Sequence, residues 1–125
     1  MVGVHIAVAA VSIALVTGCG GDKYGSTPAS PTSPTIGAAT VTIQPNARTA
    51  GTAAFVPNPL TVSSGAVVTW SNTDSTTHDM VSDTGVWDSG RIAPGGSFNF
   101  TFPSKGPFPY HCSIHPGMVG TLVVQ

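Results

Sequence analysis

Near its C-terminal end the chain reads Tyr110-His111-Cys112-Ser113-Ile114-His115-Pro116-Gly117-Met118, which sets a thiol, an imidazole and a thioether at three-residue intervals. With one more imidazole these make the two-His, one-Cys trigonal set with a weak axial Met that characterises a blue-copper electron-transfer centre. His78 is the candidate for the missing donor. A thiolate binds Cu(I) and Cu(II) strongly, two imidazoles suit both states, and a long bond to Met118 avoids the tetragonal geometry that Cu(II) alone selects. Taken singly, a Met is more often core filler and a Cys a small buried hydrophobe. It is the spacing that makes His78, Cys112, His115 and Met118 a joint candidate for one type 1 copper.

The other candidate donors read differently. Met80 lies two residues after His78 on the same face of an expected strand and is assigned to packing. His111 adjoins Cys112, so in an extended segment its side chain points the opposite way, and it is read as a non-ligand. His5 lies in a segment expected to be removed. After His78 and His115 only His111 remains in the domain, too few imidazoles for multicopper oxidase or nitrite-reductase chemistry. The expectation is a one-electron carrier and no enzyme, with copper trafficking or buffering as the alternative function.

Strands and turns must position these residues. From Val41 onward short β-prone runs alternate with turn clusters: 41–43, 53–56, 60–62, 66–72, 79–82, 97–102, 108–111 and 119–124. About eight short strands predict an all-β sandwich. Pro57-Asn58-Pro59 cannot donate to a central ladder and is expected at an edge or at a crossing between sheets. Ser63-Ser64-Gly65, Asp83-Thr84-Gly85 and Pro94-Gly95-Gly96 supply turns. Phe98, Phe100 and Phe102 alternate with Asn99 and Thr101, so one face of that strand points to the core, as Val68 and Trp70 do in theirs.

The N-terminal part is of another kind. Ile6 to Val16 is an apolar run too short for a bilayer core of roughly 30 Å, and it fits the hydrophobic region of a signal peptide, although Met1 to His5 contains no Lys or Arg. It ends in Leu15-Val16-Thr17-Gly18-Cys19, which resembles a bacterial lipobox and implies cleavage before Cys19 and a lipid on that residue. A disulfide between Cys19 and Cys112 is the competing reading. The metal-suited neighbours of Cys112 favour lipidation. The expected organisation is a signal peptide over 1–18, a flexible Pro-, Ser- and Thr-rich tether over 19–39 and one folded domain over 40–125. The protein is therefore expected in a bacterial cell envelope. Gly20 and Gly21 lack an inner-membrane retention Asp, which favours an outer membrane if one is present.

The segment Val68 to Asp74, then His78, Asp88-Ser89-Gly90, Pro94-Gly95-Gly96, Phe98 and the loop from Tyr110 to Met118 together resemble a plastocyanin-like cupredoxin of the amicyanin and pseudoazurin style. The resemblance implies a Greek-key β-sandwich with copper at one end, held by His78, Cys112, His115 and Met118. It also shows a departure, since the residue after the first His is often Asn in that family and is Asp79 here. Electrons are expected to pass through the edge of His115 to redox proteins docked on an apolar patch of Pro57, Pro59, Pro107, Phe108, Pro116 and Gly117. Four Lys plus Arg against five Asp plus Glu leave no basic face for nucleic acid and little electrostatic steering. A carrier that exposes one small face is expected to be a monomer.

Overall fold

The computed structural model describes residues 37–125, and the expected signal peptide, Cys19 and the expected tether up to residue 36 lie outside the described residues. Nine strands follow in order: β1 (Ala38–Ile43), β2 (Phe55–Val56), β3 (Leu60–Val62), β4 (Val67–Asn72), β5 (His78–Ser82), β6 (Asp88–Ile92), β7 (Ser97–Thr101), β8 (Gly106–His111) and β9 (Val119–Val124). They form two sheets, β2-β1-β4-β7 and β3-β9-β8-β5-β6. The described residues are all-β, as the run pattern implies, and the two sheets form the β-sandwich that the resemblance implies.

Alternation explains which faces close the sandwich. Val41 and Ile43 of β1, Val68 and Trp70 of β4, Phe108 and Tyr110 of β8, and Leu122 and Val124 of β9 are buried, while their neighbours are more exposed. Burying such side chains supplies about 25 cal/mol per Å² of apolar area, the main term holding two small sheets together. Aromatic rings fill the middle: Trp70 meets Tyr110 edge-on at 5.5 Å, and Trp87 stacks on Phe100 at 5.5 Å and meets Phe102 edge-on at 5.2 Å. Phe102 is buried, and Phe98 and Phe100 are partly buried against the same core.

Three expectations change in detail. The expected strand over 53–56 is strand only at Phe55–Val56, because Gly51–Ala54 forms a 3-10 turn. β1 reaches back to Ala38, where β1 pairs in parallel with β4 from Ala38↔Val67 to Ile43↔Asn72. β6 has no counterpart among the expected runs. It is an edge strand paired only with β5, so most of its residues face water and the sequence Asp-Ser-Gly-Arg-Ile shows no apolar alternation.

Pro57-Asn58-Pro59 does carry the chain from the edge of one sheet to the edge of the other. Asn58 pins that crossing. Its amide donates to Thr52 O at 2.8 Å and Val119 O at 3.1 Å, and its Oδ1 accepts from Thr121 N–H at 3.0 Å. β9 is thereby fixed at its start, just after the segment that carries Cys112, His115 and Met118.

Candidate metal centre

β5 begins with His78, β8 ends with His111, and β9 begins with Val119. Cys112, His115 and Met118 therefore share the loop between β8 and β9, and His78 comes from the neighbouring strand of the same sheet, where Val81 pairs with His111. The loop is closed by its own backbone. Cys112 N–H donates to Met118 O at 3.0 Å, Met118 N–H to His115 O at 3.0 Å, and His115 N–H to Cys112 O at 3.3 Å.

This folding brings three of the four expected donors to one point. His78 Nδ1 and His115 Nδ1 are 3.1 Å apart, and Cys112 Sγ lies 3.8 Å from the first and 3.7 Å from the second. A point equidistant from the three atoms is about 2.1 Å from each, close to the lengths of about 2.0–2.1 Å and 2.3 Å that a divalent first-row metal makes to imidazole and thiolate. A single metal ion fits the triangle. Met118 is fully buried at the end of the same loop. A soft thiolate with two imidazoles and a thioether available suits copper better than a hard cation.

Burial pushes the Cys112 thiol up, so the sulfur keeps its proton until a cation displaces it. Asp79 lies beside it. Its Oδ1 accepts the Ser113 N–H at 2.7 Å and its Oδ2 the Ser113 hydroxyl at 2.5 Å, so the carboxylate ties β5 to the ligand loop. Burial alone would raise the Asp79 pKa, but these hydrogen bonds outweigh it and hold the group below the usual carboxylate range. The departure from Asn at this position therefore keeps the tie, since both contacts ask only for an acceptor.

Asp74 is the residue that the sequence reading missed. Its Oδ2 lies 2.9 Å from His78 Nε2, the ring nitrogen facing away from the triangle. Its Oδ1 accepts the N–H of Asn46 at 3.1 Å and of Ser75 at 2.8 Å. The hydrogen bond to His78, against the opposing effect of burial, and the two backbone donors hold its pKa down to about 2. Asn72 sets the loop beneath: its Oδ1 accepts Asp74 N–H at 3.0 Å, and its amide donates to Thr76 O and Ile92 O. The available signal was an Asn-x-Asp turn between the Trp strand and the His, which marks side chains that bond to nearby backbone.

The remaining candidates fall where expected or are corrected. Met80 is fully buried in the hydrophobic core. His111 turns outward, its Nδ1 at 2.5 Å from Asp83 Oδ1, both side chains well exposed. The expected docking patch is only partly assembled. Pro107 and Phe108 pair with Val123 and Leu122, toward the end of β8 and β9 away from the site, and Phe108 is buried against Trp87 and Phe102. A count of prolines does not say which end of a strand they occupy. Pro116 and Gly117 are exposed on the loop beside the half-buried His115, and Val119 next to them is 40% exposed.

Comparison with known proteins agrees with this geometry. Residues 26–124 match the family model of the cupredoxin-like domain. Plastocyanin of Cucumis sativus is 38% identical over 91 residues, covering 60% of this chain and 91% of that protein, and plastocyanin of Scenedesmus fuscus is 33% identical over 88 residues, covering 60% and 90%. Among solved structures, a purple cupredoxin from Nitrosopumilus maritimus superposes with a TM-score of 0.65 at 30% identity, covering 70% of this chain and 99% of that one. A reduced amicyanin variant superposes with a TM-score of 0.60 at 26% identity, covering 71% and 83%. The chain belongs to the cupredoxin-like domain family, and copper is its cofactor.

Proposed function

We propose that this protein is a type 1 copper protein that carries single electrons between redox partners in the cell envelope, and that His78, Cys112, His115 and Met118 would hold the copper. The observation that supports it most is the triangle of two Nδ1 atoms and one Sγ around a point about 2.1 Å from each. Copper bound there supplies a Cu(I)/Cu(II) couple at a site whose ligands suit both states.

The protein's own part is to keep those ligands still. Cys112 is held by the loop's backbone bonds and by Asp79 through Ser113, and His78 by its buried place at the start of β5. With the donors fixed before the metal arrives, little has to rearrange when the charge changes. His115 is half-buried, so its ring offers the route from the site to a docked partner, framed by Pro116, Gly117 and Val119. Partners are other redox proteins, the protein acts as a monomer, and no reaction is catalysed on a substrate. Cleavage before Cys19 and lipidation of that residue would tether the domain to the membrane.

The test is retention. A carrier keeps its copper through repeated cycles of ascorbate reduction and ferricyanide oxidation in the presence of a Cu(I) chelator, with an unchanged visible spectrum. Loss of the metal to the chelator within a few cycles would favour trafficking. Membrane association that survives a Cys19→Ala change would remove the lipid tether from the proposal.

A further inference from the structure

The side chain of Asp74 is only 4% exposed, and all three of its hydrogen-bond contacts are occupied in a fixed sense. Oδ1 faces two backbone N–H groups, from Asn46 at 3.1 Å and Ser75 at 2.8 Å. Oδ2 faces His78 Nε2 at 2.9 Å. An ionised carboxylate only accepts, so the contact with His78 requires the proton to sit on Nε2. Nδ1, which faces Cys112 and His115, is then left with a bare lone pair.

We infer that Asp74 is a positioning residue that locks His78 in the Nε2–H tautomer, so that Nδ1 is ready as a donor before any metal arrives. The inference rests on the proposed ligand role of His78.

The position also discriminates between a carboxylate and its amide. An Asn here has one acceptor and one donor group, whereas the site asks for acceptors on both sides. Its oxygen is drawn to the two backbone N–H groups, which turns the NH2 toward His78 Nε2. That nitrogen must then accept, and the ring proton moves to Nδ1, where it blocks the metal. Changes to the partners that orient a metal-ligating His cost about 10–100-fold in affinity.

The experiment uses the copper-free full-length protein with 15N-labelled histidine and long-range proton–nitrogen spectra. The wild type is expected to show His78 as a single Nε2–H tautomer. In Asp74→Asn the His78 proton moves to Nδ1, and Cu(II) affinity, measured by competition with a chelator, falls about 10–100-fold. Asp74→Ala, which removes the acceptor without supplying a donor, gives a mixture of tautomers and a smaller loss. A wild-type His78 protonated on Nδ1 would overturn the inference, and this reading does not depend on whether either variant folds. An unchanged tautomer and affinity in a folded Asp74→Asn protein would overturn it as well. If the Nε2–H tautomer is found but copper does not bind, the tautomer lock stands and the ligand assignment falls.

Discussion

Gly120→Ala isolates a close approach that supports the ligand loop. Tyr110 and Gly120 are cross-strand partners in β8 and β9, just before and just after the segment that holds Cys112, His115 and Met118. A Cβ on residue 120 would collide with Tyr110 Cζ and lie 2.5 Å from its Oη and 2.9 Å from Cε1. The ring cannot swing away, because Tyr110 is buried between Phe55 at 5.0 Å and Trp70 at 5.5 Å. Overpacking of a core costs about 1–3 kcal/mol, and contacts this short belong at the upper end. Losing a glycine from the unfolded chain returns about 0.4–1 kcal/mol, so the net loss is about 2 kcal/mol. For a domain of this size that lowers Tm by about 8–16 °C. The assay is thermal and urea unfolding of the copper-free protein, repeated in a Tyr110→Leu background. There the cost of Gly120→Ala should shrink, because its partner ring is gone. A Gly120→Ala protein as stable as the wild type, or an unchanged cost in the Tyr110→Leu background, would show that the approach of Tyr110 to residue 120 does not set the cost.

Three further outcomes follow from the same geometry. Asp79→Ala removes both acceptors of Ser113 and is expected to destabilise the copper-free domain by about 2–4 kcal/mol in urea unfolding, since hydrogen bonds to charged groups contribute about 1.5–3 kcal/mol each and Ser113 is open to water. Asp79→Asn, which keeps an acceptor for the Ser113 N–H, is expected to lose less than half of that. Asp74 has a folded pKa depressed to about 2 from an ordinary value near 3.8, so it binds fewer protons folded than unfolded over that interval. Its contribution to stability is present above about pH 4 and is lost as pH falls toward 2, and the unfolding midpoint of Asp74→Ala should depend less steeply on pH there. Gly117→Glu places a charge on the exposed rim beside His115 and is expected to slow reduction by a protein partner about tenfold or more without moving the copper absorption bands. Equal rates for both proteins would place the docking surface elsewhere.

The sequence was most readable where chemistry and spacing coincide. Cys112, His115 and Met118 sit on one loop, so their separation along the chain nearly determines their separation in space. His78 was readable because it begins a strand after a Trp-containing one. Asp74 was not, since it lies in an irregular loop where no period says which way a carboxylate points, and its partners Asn46 and His78 are joined to it only by the fold. Asp79 was visible as a departure, but its hydrogen bonds to Ser113 required the loop to be in place. β6 was hidden because an edge strand with one wet face and one neighbour needs no apolar alternation. Pro107 and Phe108 show the opposite fault, where composition suggested a patch and register placed both toward the far end of β8, with Phe108 buried in the core and Pro107 exposed away from the site.

In the proposed site two imidazoles and the Cys112 thiolate hold one copper ion. Titrating Cu(II) into the copper-free protein while recording visible absorption and electron paramagnetic resonance tests it most directly. One equivalent is expected to bind, with an intense thiolate-to-copper band at about 600 nm and a narrow hyperfine splitting, both lost in Cys112→Ser. A weak, tetragonal Cu(II) spectrum that Cys112→Ser leaves unchanged would contradict it.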